Sequence, residues 1–206
     1  MKDKEAVVLV HGIWMIGLEL LYLRFKLWRQ GYRVYQFHYS SLIKTPEQNS
    51  QYLYQFSSKV NEPVIHFVAH SLGGIVVSHM LKNHEIDKAG KIVLIGSPVN
   101  GSAVAKHLNK RFLFKYLLGK SNIKGLLGDG PRWLSKRPTC VIAGIKKLGV
   151  GMLLAGNKMQ QQHDGTVNLS ETEISQADEV HVVPHSHFSM LWSFDVAEKI
   201  KKFLAA

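Results

Sequence analysis

The stretch VAHSLGG, residues 68–74, joins two segments of different hydrophobic pattern. Residues 63–67 before it read PVIHF, an apolar run typical of a buried β-strand, and residues 75–81 after it read IVVSHML, which suits an apolar helix. A strand that passes directly into a helix at a serine between small residues predicts a parallel α/β fold. Ser71 is then either a nucleophile on a strained turn or only the residue that caps the helix.

Six short runs predict the strands of the sheet to which this turn belongs. They are rich in Val and Ile and mostly do not alternate with polar residues, as expected for strands buried on both faces of a mostly parallel sheet. With helical stretches between them, they predict a three-layer, doubly wound α/β domain of about six strands over residues 1–206. The runs are Ala6–Val10, Arg33–Phe37, Val64–Val68, Lys91–Ile95, Thr139–Ala143 and Glu179–Val183.

Three helices are predicted from apolar spacing and from end signals. The first has an apolar stripe at positions 18, 21, 25 and 28 and ends at Gly31. The second begins at Thr45, where a T-x-x-Q capping box precedes Pro46 in the first turn. The last helix places these residues on its buried face: Val196, Ile200, Phe203 and Leu204.

Two segments interrupt the alternation and are predicted insertions over the carboxyl ends of the strands, where a lid could lie. Residues 145–162 are rich in glycine, whereas residues 101–137 carry nine Lys or Arg residues against one acid, Asp129. The basic segment could contact an anionic membrane surface, or it could simply be a solvated face. Nucleic acid is not expected as a partner, because no zinc-finger spacing or RNA-binding motif accompanies the charge.

Composition excludes several other classes of protein. The chain has a net charge of +11 and a single cysteine, Cys140, which rules out an internal disulfide framework. No run approaches the roughly 18 apolar residues that span a bilayer, and five apolar residues before His11 are too few for a secretory signal, so a cytoplasmic protein is expected. Without a nucleotide-binding motif, HExxH or paired cysteines, we expect no cofactor and no metal. The oligomeric state is not predicted.

A nucleophilic serine needs two donors that bind the developing oxyanion. One is expected to be the backbone N–H of Leu72, at the start of the helix after Ser71. The other is expected to be the N–H of Ile13, in the loop His11-Gly12-Ile13-Trp14 after the first strand. Trp14 and His70, the neighbours of these groups, are expected to contact the substrate.

The serine also needs a base and an acid, which should follow it in the order acid, then base. The base should lie after the last strand, where His185 and His187 both occur, and we favour His187 because it directly precedes the final helix. The acid should lie between the fifth and sixth strands, where Asp164 sits on an Asp-Gly turn. Two other acids compete for this role, Glu171 and Asp178.

Five ordered landmarks make the chain resemble the α/β-hydrolase superfamily, in particular its small bacterial lipases and esterases and the GPI inositol-deacylase-like proteins. The landmarks are VHG at 10–12, AHSLGG at 69–74, IGSPVNGS at 95–102, DGTV at 164–167 and SHF at 186–188. The resemblance implies Ser71 as nucleophile, Asp164 as acid and His187 as base, with the Ile13 and Leu72 amides as oxyanion hole.

The same resemblance implies hydrolysis of a carboxylic ester, either a small molecule or an acyl lipid. An acyltransferase or thioesterase would use the same residues, and a catalytically idle module that binds membranes is a further alternative. Three features depart from the family pattern: Ala69 replaces the first glycine of the elbow, the two leading strands of the full fold would be absent, and twenty residues separate Ala143 from Asp164.

Overall fold

The computed structural model describes residues 5–112, 115–155, 159 and 162–206. Its centre is a six-stranded sheet in the order β2-β1-β3-β4-β5-β6, with every neighbouring pair parallel. The predicted α/β sheet is therefore confirmed, and each predicted run forms a strand. The strands are β1 (Glu5–Val10), β2 (Arg33–Phe37), β3 (Val64–His70), β4 (Ile92–Ile95), β5 (Thr139–Gly144) and β6 (Glu179–Val183).

Helices cover both faces of this sheet. Helices α1 and α7 pack on one face, and α2 and α3 pack on the other, each over its own apolar core. Within the described residues, no helix is long and apolar enough to cross a bilayer. The helices are α1 (Leu21–Trp28), α2 (Pro46–Ser58), α3 (Leu72–Asn83), α4 (Ala103–Asn109), α5 (Lys115–Leu118), α6 (Val150–Ala155) and α7 (Phe194–Ala205).

The strand order places a crevice beside β1. The chain moves from β1 to β2 on one side and then crosses back to β3 on the other side, so β1 lies at the point where the winding reverses. In open parallel sheets, sites form at the carboxyl ends of the strands at such a switch point. The loop that begins with His11 after β1 and the turn at Ser71 after β3 therefore meet there.

The end signals predicted for the helices are confirmed. The Thr45 hydroxyl accepts a hydrogen bond from the Gln48 N–H, and the Gln48 side chain accepts one from the Thr45 N–H, which completes the capping box of α2. Gly31, with φ +90°, follows the end of α1 and donates its N–H to the Trp28 carbonyl. In α7, the predicted apolar residues are all buried.

The apolar face predicted for the first helix is wrong. Its buried residues are Leu20, Leu23 and Leu27, which pack in the core with β1. The stripe at positions 18, 21, 25 and 28 is exposed instead. Both sets have helical spacing, because this segment is apolar on most of its circumference, and only packing on the sheet selects one of them.

The basic segment 101–137 is packed on the helix that follows Ser71. Leu108, Leu118 and Leu126 share an apolar cluster with Leu72 and Ile75 of α3. This packing anchors the insertion to the domain; whether the segment also moves as a lid stays a prediction. Residues 113 and 114 of this segment and residues 156–158, 160 and 161 of the second insertion lie outside the described residues.

Of the nine cations of that segment, at least two bind groups elsewhere in the domain. The Arg137 guanidinium donates to the carbonyl oxygens of Ile65 and Lys88. The Lys124 ammonium pairs with Glu47 on α2 at 2.7 Å. The basic character of the segment is therefore partly structural, because these two charges hold it against its neighbours.

The orientation of α1 can be tested by comparing one substitution on its buried side with one on its exposed side. Leu23→Ala should lower the free energy of unfolding by about 2–5 kcal/mol, because Leu23 is fully buried. Leu21→Ala removes a residue of the exposed stripe of the same helix, and it should change the free energy of unfolding by less than about 0.5 kcal/mol. Urea unfolding of both variants measures the difference, and equal losses would contradict the observed orientation of α1.

Candidate active site

Ser71 lies on a strained turn between β3 and α3. Its φ of +53° and ψ of −123° fall in a region that residues with a side chain rarely adopt. Although Ser71 occupies the first position before α3, its side chain accepts no hydrogen bond from the helix. Its backbone N–H donates to the Ile95 carbonyl at 3.0 Å, which fixes the turn to β4. This geometry is that of a nucleophile elbow and not that of a helix cap.

Two glycines allow the helix to begin so close to the sheet. A Cβ on Gly73 would lie 2.5 Å from the Val10 carbonyl oxygen and 2.7 Å from that of His11. A Cβ on Gly74 would lie 2.4 Å from Ser97 Oγ and 2.6 Å from its Cβ. Because real Cβ atoms do not approach other atoms this closely, both positions require glycine.

Asp164 and His187 form a buried pair. His187 Nδ1 lies 2.6 Å from Asp164 Oδ2, and the His187 backbone N–H donates to the Asp164 carbonyl at 2.9 Å. The other carboxylate oxygen, Oδ1, accepts from the N–H groups of Thr166 and Val167, so the Asp-Gly turn orients the carboxylate. His187 Nε2 has no hydrogen-bond partner within the described residues, so this nitrogen stays available to a third group.

The competing residues have structural bonds elsewhere. His185 is hydrogen-bonded to the Ser193 hydroxyl, which caps α7. Asp178 accepts from the Thr139 N–H at the amino end of β5, the edge of the sheet opposite to Ser71. Glu171 accepts from the Ala103 N–H at the start of α4. The structure therefore brings Asp164 to His187 and gives the three alternatives other partners.

His70 connects the Ser71 turn to His187. Its Nε2 lies 3.2 Å from the His187 carbonyl oxygen, and the two ring centroids are 4.6 Å apart. Burial lowers the pKa of His70 well below its usual value, so its ring is neutral and donates through Nε2–H. His70 is completely buried, and within the described residues its Nδ1 has no hydrogen-bond partner; a contact between His70 and the substrate stays a prediction.

The loop after β1 lies directly against Ser71. A Cβ on Gly12 would lie 3.1 Å from Ser71 Cβ. Within the described part of the chain, no hydrogen bond uses the N–H of Ile13 or that of Leu72, so both remain free to bind an anion. Trp14, which has a φ of +60°, is exposed at this loop.

Three hydrogen bonds and one ring stack hold this loop in place. The Trp14 N–H donates to the Ser41 hydroxyl, and the Trp14 indole N–H donates to the Leu117 carbonyl at 2.6 Å. The Tyr39 hydroxyl donates to the His11 carbonyl, and its ring stacks on the His11 imidazole. The loop is thus fixed both to the core and to the basic segment before any ligand binds.

In the sequence, Gly96 stood out only as part of the IGSPVNGS segment that resembles a known family. In the structure, Gly96 makes room for the Asp164–His187 pair. Gly96 has a φ of +54°, and a Cβ there would lie 3.0 Å from His187 Nδ1 and 3.1 Å from Asp164 Oδ2. A glycine directly after a predicted strand was the available signal. Its purpose could not be recognised, because the residues it accommodates lie 68 or more positions away in the chain.

Among the described residues, the only group placed to share a metal ion is Cys140, Glu179 and His181, on β5 and β6. Burial raises the pKa of the Cys140 thiol to about 12. His181 is hydrogen-bonded to Glu179 at 2.9 Å, so these two side chains already bind each other.

Comparison with solved structures identifies the architecture. The mature form of the lipase BlEst2 from Bacillus licheniformis superposes with a TM-score of 0.71 at 17% identity, over 97% of this chain and 90% of that one. The chain has the α/β-hydrolase fold. The metagenomic carboxyl esterase MGS0156 matches this α/β-hydrolase domain with a TM-score of 0.69 at 16% identity, over 92% of this chain and 66% of that one.

The phospholipase PlaB from Legionella pneumophila is a larger protein that contains a similar domain. It matches with a TM-score of 0.63 at 16% identity, over 82% of this chain and 45% of PlaB. No protein-family model matches the chain, and no curated protein matches it in sequence. The α/β-hydrolase assignment therefore rests on shape, and the chemistry must be argued from the residues of this chain.

The contact between Gly74 and Ser97 can be tested by a rescue experiment. Gly74→Ala should lower the free energy of unfolding by about 1–3 kcal/mol, because the new Cβ overlaps the Ser97 side chain. Adding Ser97→Gly should restore at least half of that loss, since the obstructing atoms are removed. Thermal unfolding of the single and double variants measures both effects; a double variant no more stable than Gly74→Ala would contradict the proposed overlap.

Buried histidines predict acid sensitivity. Burial lowers the pKa of His11, His66, His70, His79 and His163, so the unfolded chain binds more protons than the folded chain below about pH 6.5. The contribution of these neutral histidines to the free energy of unfolding is complete above about pH 6.5. It is lost as the pH falls toward the pKa values that the histidines have in the folded chain. Urea unfolding should therefore show a progressive loss of the free energy of unfolding between about pH 7.5 and 5.5.

His79→Gln provides the control for this pH dependence. His79 donates from Nε2 to the Lys124 carbonyl, a bond that the glutamine amide can reproduce without a titrating group. The variant should show a shallower loss of stability with acid than the wild type. An unchanged slope would contradict the contribution of buried histidines.

Proposed function

We propose that this chain is a serine hydrolase that cleaves carboxylic esters through an acyl-enzyme on Ser71. The observation that carries the proposal is the buried Asp164–His187 pair, in contact through His70 with a serine held at φ +53°. A nucleophile, a base and an acid that orients the base are the parts that acyl transfer requires. The lipase BlEst2, the carboxyl esterase MGS0156 and the phospholipase PlaB, which share the fold, support ester chemistry.

In the first half of the reaction, Ser71 Oγ attacks the ester carbonyl carbon while His187 Nε2 takes the hydroxyl proton. The electron pair of the carbonyl moves to its oxygen, which binds the N–H groups of Ile13 and Leu72. The tetrahedral intermediate then collapses, the carbon–oxygen bond to the alcohol breaks, and His187 Nε2–H protonates the departing alcohol. The acyl group remains on Ser71.

In the second half, water replaces the alcohol. His187 removes a proton from water as the water oxygen attacks the acyl carbon, and the same proton returns to Ser71 Oγ as the acid leaves. Asp164 accepts the His187 Nδ1–H throughout, which stabilises the imidazolium and keeps the ring oriented. His70 is neutral and adds no positive charge against the imidazolium, since burial keeps its pKa low.

An apolar cluster begins at the residue directly after Ser71 and favours an ester with an apolar acyl or alcohol group. Leu72 and Ile75 of α3 form this cluster with Val104 and Leu108 of the basic segment, and Ile13 packs against it. A site bordered by such a cluster cannot compensate the desolvation of a charged substrate. We therefore place aliphatic or acyl-lipid esters ahead of polar esters as substrates.

A fluorophosphonate probe and p-nitrophenyl esters test the mechanism. The probe should add its mass to Ser71, and Ser71→Ala should abolish labelling and lower kcat/KM by about 10⁴ or more. Asp164→Asn should retain labelling at a reduced rate and lower kcat by about 10⁴, because the amide stabilises the wrong imidazole tautomer.

Ser97→Ala is the matched control, since Ser97 is a second buried serine near the start of α3 whose hydroxyl has no partner. It should leave labelling and turnover close to those of the wild type. Ester hydrolysis that survives Ser71→Ala would overturn the mechanism. Faster transfer of the acyl group to an added alcohol or thiol than to water would replace the hydrolase with an acyltransferase.

A further inference from the structure

The exposed side of α1 and the start of α7 form an apolar surface that the proposed reaction does not use. We call the following residues the α1 face: Leu18, Leu21, Phe25, Trp28, Trp192 and Phe194. Phe25 is 51% exposed, Trp28 64%, Trp192 56% and Phe194 62%. The two elements are adjacent, because Tyr22 of α1 contacts the Trp192 ring and Lys26 lies 4.5 Å from the Phe194 ring. Large exposed aromatic residues grouped in this way mark a contact surface.

The charges around the α1 face are mostly positive. Its two flanking acids are already bound, because Glu19 accepts from the Gly17 N–H and Asp195 pairs with Lys199 at 3.2 Å. No Asp or Glu occurs between Glu19 and Glu47, a stretch that contains Arg24, Lys26, Arg29, Arg33 and Lys44. The Arg29 guanidinium lies 5.8 Å from the centre of the Phe25 ring, so cationic groups surround the aromatic ones. Aromatic and aliphatic residues bordered by Lys and Arg are the composition of helices that lie in the interface of an anionic bilayer.

Two clefts next to Trp28 could receive lipid headgroups. One, of about 350 Å³, is lined by Leu21, Arg24, Phe25, Trp28 and Val34. The other, of about 700 Å³, has both Arg29 and Arg33 in its wall. Arg33 is paired with Glu62 at 3.5 Å, so Arg29 is the guanidinium of this cleft that suits a phosphate, which arginine binds with paired hydrogen bonds.

We propose that the α1 face docks this protein on the surface of an anionic phospholipid bilayer. Charge complementarity favours lipid over an acidic or neutral protein surface, because aromatic anchors, arginine-lined clefts and an excess of cations occur together. Leu18 follows Ile13 by about five residues, and Trp192 follows His187 by about five, so both parts of the face begin beside the proposed active site. The inference deepens the proposed function by naming membrane lipids as the source of ester.

This location differs from the basic segment 101–137, which the sequence suggested as the membrane contact. Within that segment, Arg137 and Lys124 are bound to the domain, and Leu108, Leu118 and Leu126 are buried. The basic segment also exposes Phe112 and Tyr116 beside its cations, but the α1 face exposes four aromatic residues, two of them tryptophans. Apolar contact and charge together, and not charge alone, produce stable interfacial binding.

The test measures binding to vesicles by flotation, in a Ser71→Ala background so that lipid is not consumed. Vesicles contain phosphatidylcholine alone or an equal mixture with phosphatidylglycerol. The parent protein should float with the mixed vesicles and much less with neutral ones. Arg24→Gln/Arg29→Gln should lower the partition coefficient by about 30-fold, at roughly fivefold per arginine near an anionic surface. Phe25→Ser/Trp28→Ser should lower it at least tenfold.

Two further pairs of substitutions each remove two positive charges, as the arginine pair does, but from other parts of the surface. Lys201→Gln/Lys202→Gln alters the exposed side of α7, and Lys110→Gln/Lys120→Gln alters the basic segment. Each should change the partition coefficient by less than about threefold. Thermal unfolding confirms that all variants are folded, so that a loss of binding is a surface effect.

Three results would overturn the proposal. Equal losses from all charge pairs would indicate attraction by net charge alone, and a loss confined to Lys110 and Lys120 would transfer the contact to the basic segment. A dimer in sedimentation that Phe25→Ser/Trp28→Ser dissociates, without vesicle binding by the parent, would assign the face to a second copy of the chain. Because binding is measured without Ser71, failure of the fluorophosphonate labelling would leave this result standing.

Discussion

The site depends on how closely the start of α3 approaches the end of β1. Gly73 brings the helix backbone against the carbonyl oxygens of Val10 and His11, at a distance that excludes any Cβ. This approach places the Ser71 turn beside Gly12 and leaves the Ile13 and Leu72 N–H groups free of internal partners. A larger residue at position 73 would move α3 outward, and the serine, the loop and the two donors would lose their common position.

The second requirement is that an acid and a base be kept buried with satisfied hydrogen bonds. Asp164 receives three donors from His187, Thr166 and Val167, so its carboxylate is compensated although it is removed from water. Gly96 provides the space for this pair. The pair lies at the carboxyl edge of the sheet, and residues far apart in the chain meet there because all six parallel strands end on that side.

Local pattern predicted the fold with few errors. Six apolar runs became six strands because a central parallel strand is buried on both faces, and few other segments tolerate such composition. The capping box at Thr45 and the apolar face of α7 were likewise local and were observed. The face of α1 was mistaken, because Leu20, Leu23 and Leu27 compete with an equally regular stripe, and local spacing contains no information about which side the sheet will cover.

The amino-acid sequence alone revealed the order of Ser71, Asp164 and His187 and the strand that each of them follows. The proposed acyl transfer requires these residue types, and the topology of the sheet requires this order. Tertiary structure alone decided that His187 and not His185 meets Asp164, that His70 is buried against His187, and that Gly96 leaves room for the pair. These are distances between segments that lie far apart in the chain, and packing, which acts through space, sets them.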